Sequence, residues 1–162
     1  MMKPIVYNPI GIIRTPFKAP EGTPIQPPGG ATREGIVEVF PEFRAGLEDL
    51  EGFSHLILLY HCHLSGDFSL KVKPFLDDAE HGVFATRAPS RPNPIGLSVV
   101  HLIEVADGRL TIREVDIIDG APLLDIKPYV PKFDVRPGAR TGWLEARSDK
   151  TESTRDDGRF SR

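Results

Sequence analysis

Short runs in which apolar and polar residues alternate, separated by glycine and proline, make up most of this chain. The clearest pair of runs is "GLSVVHLIEVADGRLTIREVDII" at residues 96–118, whose arms meet at Asp107-Gly108, a dipeptide that tolerates the positive φ of a tight hairpin turn. Similar runs, each bounded by glycine, proline or polar residues, predict further strands at residues 10–14, 35–40, 54–63, 71–74, 82–86 and 142–146. The pattern therefore predicts about eight short strands.

Only one segment has helical spacing. Between residues 41 and 50, Phe43, Leu47 and Leu50 fall at positions i, i+4 and i+7. Many short strands with one brief helix favour a closed or nearly closed barrel, a shape that removes exposed sheet edges. The predicted fold is mainly β, a small β-barrel with short helical insertions.

Two segments fall outside the strand pattern. Residues 19–32, "APEGTPIQPPGGAT", are too rich in proline and glycine for a strand, and a loop of this length in a compact domain is usually functional or disordered. The last residues, "SDKTESTRDDGRFSR", are polar enough for disorder or for loose docking through Phe160. We therefore predict a single barrel domain at residues 1–147 and a polar C-terminal tail at residues 148–162.

The length and composition are those of one globular domain. Of the 162 residues, 40% are hydrophobic and 27% charged, and no apolar run approaches the roughly 18 residues of a membrane span. The N-terminus lacks an export signal and Cys62 is the only cysteine, so we predict a cytoplasmic protein without disulfides. The formal net charge of −3 argues against binding nucleic acid by bulk charge, so such a role must depend on a few placed basic residues.

Several common catalytic motifs are absent from the sequence: GxGxxG after a strand, GxxxxGK[ST], HExxH and GxSxG. Dinucleotide oxidoreductases, P-loop NTPases, zinc proteases and α/β-hydrolases are therefore disfavoured. His61 and His63 stand two apart and would share one strand face, but the other nearby histidines and aspartates lie at no recognised ligand spacing. We favour hydrogen-bonded polar groups at a strand end and predict no metal.

The stretch "TRAPSRPNPIG" at residues 86–96 combines cationic and rigid residues. Its three prolines remove backbone donors and restrict the residues before them, so Arg87, Arg91 and Asn93 are held on a stiff, extended segment. Such stiffness lowers the entropy lost when these groups bind a ligand, and arginine suits a carboxylate or a phosphate. The alternative is an arginine salt bridge on a proline-braced surface loop.

A second polar stretch, "DIIDGAPLLDIKPYVP", follows the hairpin. Strand alternation places Asp125, Lys127 and Tyr129 on one face. An acid, a base and a phenol that converge could position or deprotonate a substrate. The alternative is an ordinary ion pair between Asp125 and Lys127 beside a half-buried tyrosine.

Taken in order, five blocks resemble the TrmO/TsaA-like family of tRNA methyltransferases: "PIGIIRTPF", "PIQP", "LEGFSHLILLYHCH", "GVFATRAPSRPNPIGLSVV" and "DIIDGAPLLDIKPYVP". The resemblance runs from about residue 9 to residue 131. It implies a small β-barrel methyltransferase, distinct from the Rossmann-like majority, that uses S-adenosyl-L-methionine and forms a homodimer with the cofactor near the interface. It also implies the reaction, N6-methylation of threonylcarbamoyl-adenosine beside the tRNA anticodon.

The resemblance further implies which residues contact each ligand. The cofactor contacts carried over by position are Gln26, Pro27, Pro28, His63, Leu64, Arg87, Leu97, Asp116, Ile117, Ile118 and Asp119. Arg91 and Asn93 are assigned to the substrate, with Lys71 and Lys73 adding local positive charge for tRNA. Asp125, Lys127 and Tyr129 are assigned to catalysis. Leu64 and Ile25 depart from residues found in some relatives, which affects the details of the cofactor pocket.

Methyl transfer from a sulfonium is an in-line displacement, so holding the donor and the acceptor nitrogen in contact supplies most of the catalysis. A base that takes the proton of the weakly basic N6 would help, and Asp125, tuned by Lys127, is our candidate. Three alternatives stay open. They are the same chemistry on another nucleoside or small molecule, a non-catalytic barrel that binds RNA or a ligand, and a metal hydrolase built on His61 and His63.

Overall fold

A closed antiparallel barrel dominates the computed structural model, which describes residues 1–161. The strands are β1 Gly11–Arg14, β2 Glu34–Val39, β3 His55–His61, β4 Lys71–Val72, β5 His81–Gly82, β6 Ile95–Ala106, β7 Arg109–Arg113 and β8 Ala121–Pro128. The barrel has the order β1-β2-β7-β6-β3-β8 and closes through pairing of β8 with β1, while β4 and β5 form a separate two-stranded sheet. The prediction of a mainly β barrel is confirmed.

The helical segments are short. One α-helix, α1, spans Pro131–Asp134, and the 3-10 helices are Pro27–Gly30, Pro41–Leu47, Leu50–Gly52, Val83–Ala85, Gly142–Leu144 and Ser148–Lys150. The helix predicted at residues 41–50 is therefore two 3-10 segments, with Leu47 and Leu50 buried and Phe43 exposed. Within residues 1–161, none of the helices is long or apolar enough to cross a membrane.

The hairpin of β6 and β7 follows from its turn residues. Asp107 and Gly108 both have positive φ, 52° and 78°, and Ala106 faces Arg109 across the turn. Two consecutive left-handed residues give the turn a twist that matches that of the flanking strands. This predicted hairpin is confirmed, and it forms two neighbouring strands of the barrel.

Strand alternation fills the barrel with aliphatic side chains. The inward residues with no exposed surface come from all six strands of the barrel: Ile13, Val37, Leu56, Leu58, Val100, Leu110, Ile112 and Leu123. Burying a side chain of this size contributes about 1.5–3 kcal/mol relative to leaving it exposed. The barrel interior is thus a packed core, and any ligand must bind at an end or on the outside.

Two predicted strands are wrong in whole or in part. Residues 142–146 form a 3-10 turn instead, because Trp143 stacks on the His81 ring at 4.4 Å and donates its indole N–H to the Ala85 carbonyl at 2.8 Å. Of residues 82–86, only Gly82 belongs to a strand, since the Thr86 N–H donates to the Val83 carbonyl at 3.1 Å and closes a 3-10 turn, and the Thr86 hydroxyl donates to the same carbonyl at 2.8 Å. Tertiary contacts override the short local pattern in both places.

The end of the polar tail lies against the barrel domain. Phe160 is 8% exposed and packs edge-on against Phe75 at 5.0 Å, and its carbonyl accepts hydrogen bonds from the Ser90 hydroxyl and the Gly66 N–H. Arg159 donates to the carbonyl of Pro74 at 2.9 Å. One aromatic side chain and a few backbone bonds therefore hold the tail in place.

We expect Phe160→Ala to lower the free energy of unfolding by about 3 kcal/mol, the low end for a buried phenylalanine, because the ring belongs to a small satellite cluster. Urea denaturation followed by fluorescence measures this change. Phe84→Ala is the matched control, since Phe84 is 73% exposed, and a surface substitution of this kind changes stability by less than about 0.5 kcal/mol. Equal effects of the two substitutions would contradict the docking of the tail.

Candidate functional site

A cleft of about 1000 Å³ opens at the barrel end where β3 and β7 finish and β6 and β8 begin. One wall comes from the turn Pro27–Gly30 and the residues before it, and a second from the proline-braced segment at residues 86–93. The end of β3, the start of β6 and residues 114–118 form the floor, and Trp143 and the tail residue Phe160 complete the rim. Segments distant in sequence thus meet around one concave surface, the usual form of a small-molecule site.

The cleft collects most of the residues assigned to the cofactor. Those that line it are Gln26, Pro27, Pro28, His63, Leu64, Arg87, Leu97, Asp116, Ile117 and Ile118. Arg91 and Asn93, assigned to the substrate, line the same cleft. The geometry is therefore compatible with one site that holds both ligands.

Asp119 lies beside the cleft and not among its lining residues. Its carboxylate accepts the Thr15 N–H at 2.9 Å and pairs with the Lys18 ammonium at 2.8 Å, and the Lys18 hydrogen bond lowers the pKa of this carboxyl. The Asp119 N–H donates to the Phe17 carbonyl at 2.7 Å. These contacts fix the turn that follows Ile118, so Asp119 positions the cleft floor.

Two arginines of the proline-braced segment differ in their contacts. Arg87 donates from Nη1 to Gln26 Oε1 at 3.0 Å, which joins two walls of the cleft. Arg91 donates from Nη1 to the backbone carbonyls of Thr86 at 3.1 Å and Ala88 at 3.3 Å. Arg91 thus braces its own loop, while Arg87 reaches across to the facing wall.

The histidines and the cysteine at the end of β3 make no metal site. Burial, followed by the neighbouring His61, lowers the pKa of His63, and burial raises the pKa of the Cys62 thiol to about 11. A thiol with this pKa stays protonated at neutral pH and is a poor nucleophile. Among residues 1–161, no group of three or more histidine, cysteine or acidic side chains is placed to hold a metal ion.

A chain of polar groups at the cleft floor was missed by sequence reasoning. The Tyr60 hydroxyl lies 3.0 Å from Ser98 Oγ, and Ser98 Oγ donates to Asp116 Oδ1 at 2.6 Å. Burial raises the pKa of Asp116 to about 7, although the bond from Ser98 partly opposes this shift. The available signal was Ser98 itself, the one polar residue among the inward positions Ser98, Val100 and Leu102 of β6.

The three residues assigned to catalysis lie outside the cleft of their own chain. Asp125 faces Leu59 and Lys127 faces Ile57 across the β3–β8 ladder, so both point outward from the barrel. Their side chains pair at 2.7 Å and are 43% and 59% exposed. Tyr129 follows β8 and packs edge-on against the His55 ring. Alternation placed Asp125 and Lys127 on one face, as predicted, but that face is the outside of the barrel.

This outside surface, which we call the outer face, joins β3, β6 and β8. Its apolar part comprises Ile57, Leu59, Ile95, Leu97 and Val99, of which Ile95 is 44% and Leu97 50% exposed. His55 and His101 stack at 4.9 Å at its far end. Ile95, Leu97 and Val99 also line the cleft, so the outer face and the cleft are continuous.

Comparison with known proteins assigns the chain to a family. The family model described as "tRNA-methyltransferase O N-terminal domain" matches residues 12–135. The chain belongs to this family. The family match includes the strands of the barrel from the second residue of β1 onward, whereas the cleft residues Trp143 and Phe160 lie beyond it.

Individual family members support the assignment. The chain is 60% identical over 156 residues to a "Probable S-adenosyl-L-methionine-binding protein" of Pyrococcus abyssi, covering 96% of this chain and 85% of that protein. It is 39% identical over 137 residues to the mouse "tRNA (adenine(37)-N6)-methyltransferase", covering 80% of this chain and 32% of the mouse protein. The crystal structure of TrmO from Pseudomonas aeruginosa matches with a TM-score of 0.73 and 40% identity, over 87% of this chain and 63% of that one. The chain therefore spans less than two thirds of the solved bacterial chain and about a third of the mouse protein.

Proposed function

We propose that this protein is an S-adenosyl-L-methionine-dependent methyltransferase that acts on tRNA and methylates N6 of threonylcarbamoyl-adenosine beside the anticodon. The observation that carries the proposal is the cleft, because it brings together residues from five separate places in the sequence that the resemblance assigned to one cofactor. The names of the Pyrococcus and mouse relatives support the cofactor and the tRNA adenine as reactants. The cytoplasmic location predicted from the sequence agrees with a tRNA substrate.

The lining of the cleft suits the chemical parts of this cofactor. Leu64, Leu97 and Ile118 offer apolar surface for the adenine ring, and the Arg87 guanidinium offers a planar fork for the methionine carboxylate. The Asp116 carboxylate offers a negative charge for the ammonium and sulfonium groups of the cofactor. When bound, the cofactor supplies an electrophilic methyl group on a sulfonium. The chain's own residues hold the donor, orient the acceptor and keep water out.

Arg91 and Asn93 are suited to the substrate side of the same cleft. The modified adenosine carries an amino-acid carboxylate, for which a planar arginine is an apt partner. Arg91 is fixed by its bonds to two loop carbonyls, so little side-chain entropy is lost when it meets an anion. Asn93 is exposed and offers both a donor and an acceptor to the base or the carbamoyl group.

We also propose that the protein works as a homodimer through the outer face, with Asp125, Lys127 and Tyr129 acting at the partner's cleft. An apolar sheet surface that runs into the cleft would bring the same surface of a second copy to the cleft edge. Asp125 and Lys127 carry opposite charges side by side, which suits self-complementary pairing across a two-fold axis. Asp125 would then accept the N6 proton as methyl transfer proceeds.

Incubation with labelled cofactor and two tRNA preparations tests the proposed reaction. We expect label to enter tRNA that carries threonylcarbamoyl-adenosine and not the same tRNA lacking the threonylcarbamoyl group. Equal labelling of both would indicate another acceptor nucleoside. Cofactor binding by calorimetry without any transfer would indicate a binding module, and absence of both would refute the proposal.

A further inference from the structure

Asp116 is a partly buried carboxyl group at the cleft floor that lacks a cationic partner. Its described hydrogen bond comes from the neutral Ser98 hydroxyl, and none of the ion pairs described within residues 1–161 includes it. Arg87 makes its described side-chain bond to Gln26, and burial raises the pKa of Asp116 more than the Arg87 charge lowers it. Carboxylates taken out of water are usually paired with a cation, so this one is incomplete without a ligand.

The other titratable groups around Asp116 do not supply a balancing charge. Tyr60 and Cys62, from and just after β3, have pKa values raised by burial and are neutral at physiological pH. His63 has a lowered pKa because of burial. The remaining charged or titratable groups that line the cleft with it are His61, Arg87, Arg91, Glu114, Glu152 and Asp156. The two arginines use the donors described for them on Gln26 and on loop carbonyls.

We propose that Asp116 is the counter-ion for a cationic group of the bound cofactor and gives up its proton to solvent when the cofactor binds. This inference rests on the proposed cofactor, which carries two cations, an α-ammonium and a sulfonium. Tyr60 and Ser98 hold the carboxylate in place through their hydroxyl chain. Asp116 would thereby favour a cationic ligand over a neutral one of the same shape.

The direction in which cofactor affinity changes with pH follows from the charges of Asp116 and the cofactor. In the free protein burial raises the pKa of Asp116 to about 7, and a bound cation lowers it. By linkage, the cofactor then binds the ionised form more tightly, so affinity is full above pH 7 and falls as the pH drops below it. The expected loss is about tenfold for each pH unit between the pKa of the free protein and that of the complex.

Calorimetric titration of the full chain with S-adenosyl-L-methionine between pH 5 and 7, at constant ionic strength, tests the proposal. An α-amino group has a pKa of about 7.7–8.0, so the ligand keeps its ammonium charge between pH 5 and 7. We expect the stated loss of affinity at low pH and, in two buffers of different ionisation enthalpy at pH 6.5, net release of protons. Asp116→Asn keeps the shape of the side chain and should remove both effects.

Asp67→Asn is the control, because it makes the same chemical change at an exposed aspartate that does not line the cleft. This variant should keep the pH dependence of the wild type. Thermal unfolding of both variants verifies that they are folded.

Titration with S-adenosylhomocysteine, which has the ammonium but not the sulfonium, identifies the cation. An equal effect of Asp116→Asn on both ligands indicates the ammonium, and a larger effect on S-adenosyl-L-methionine indicates the sulfonium. The proposal is overturned if the affinity of the wild type does not change with pH. It is also overturned if Asp116→Asn loses affinity at low pH as the wild type does. Failure of the wild type to bind either ligand at any pH refutes the proposed function instead.

Discussion

Gly30→Ala is expected to weaken cofactor binding by about 10-fold to 100-fold, because restoring the bound shape of the cleft against the overpacked methyl group costs about 1–3 kcal/mol. Gly30 ends the turn Pro27–Gly30 and is buried against the backbone of Val115. A Cβ at this position would lie well within 3.0 Å of the Val115 carbonyl oxygen, closer than real Cβ atoms approach backbone. The added methyl group therefore pushes the Gln26 wall away from the segment that carries Asp116.

Calorimetry with S-adenosyl-L-methionine measures the loss of affinity, and thermal unfolding measures the accompanying loss of stability, expected at about 1–3 kcal/mol for overpacking. Gly46→Ala is the matched control, because Gly46 lies in a 3-10 segment with nothing within 4 Å of an added Cβ. Its affinity and stability should match the wild type. Wild-type affinity in Gly30→Ala would show that the contact between the turn and Val115 does not shape the cleft.

The parts of the fold that could be predicted are those set by neighbouring residues. The Asp107-Gly108 turn needs two left-handed residues, and the apolar alternation on both sides specifies the strands without reference to the rest of the chain. The barrel followed from the number and shortness of such strands. In contrast, "GWLEA" at residues 142–146 alternates over too few positions, and the contacts of Trp143 with His81 and Ala85 decide its structure.

Residues of the candidate site could be predicted only where they lie in a recognisable sequence motif. Gln26 and Arg87 are 61 residues apart, and their hydrogen bond depends on how two loops meet at the barrel end. Ser98 and Asp116 stand on the two arms of the predicted hairpin, but the irregular pairing between Leu102 and Glu104 shifts the register, so counting from the turn does not pair them. Alternation gave the common face of Asp125 and Lys127, but it does not distinguish the inside of a barrel from the outside.

Mixed dimers are expected to recover methyl transfer that two separate variants have lost. Arg87→Ala removes a cleft side chain, and Asp125→Asn removes the proposed base from the outer face. Each variant alone should lose about 100-fold or more in single-turnover rate, the usual range for a general base or a charged hydrogen bond. If Asp125 serves the partner's cleft, a mixed dimer contains one intact site of two, so purified mixed dimers have about half of wild-type activity.

Co-expression of the two variants with different affinity tags, followed by sequential purification, gives mixed dimers for the assay. The control mixes Arg87→Ala with Asp116→Asn, which damage the same cleft and so leave every site of the mixed dimer defective. Activity in the first mixture alone places Asp125 across the interface, because no arrangement within one chain allows complementation. Full activity of Asp125→Asn by itself would remove its role as base, and absence of recovery from two inactive variants would confine the site to a single chain.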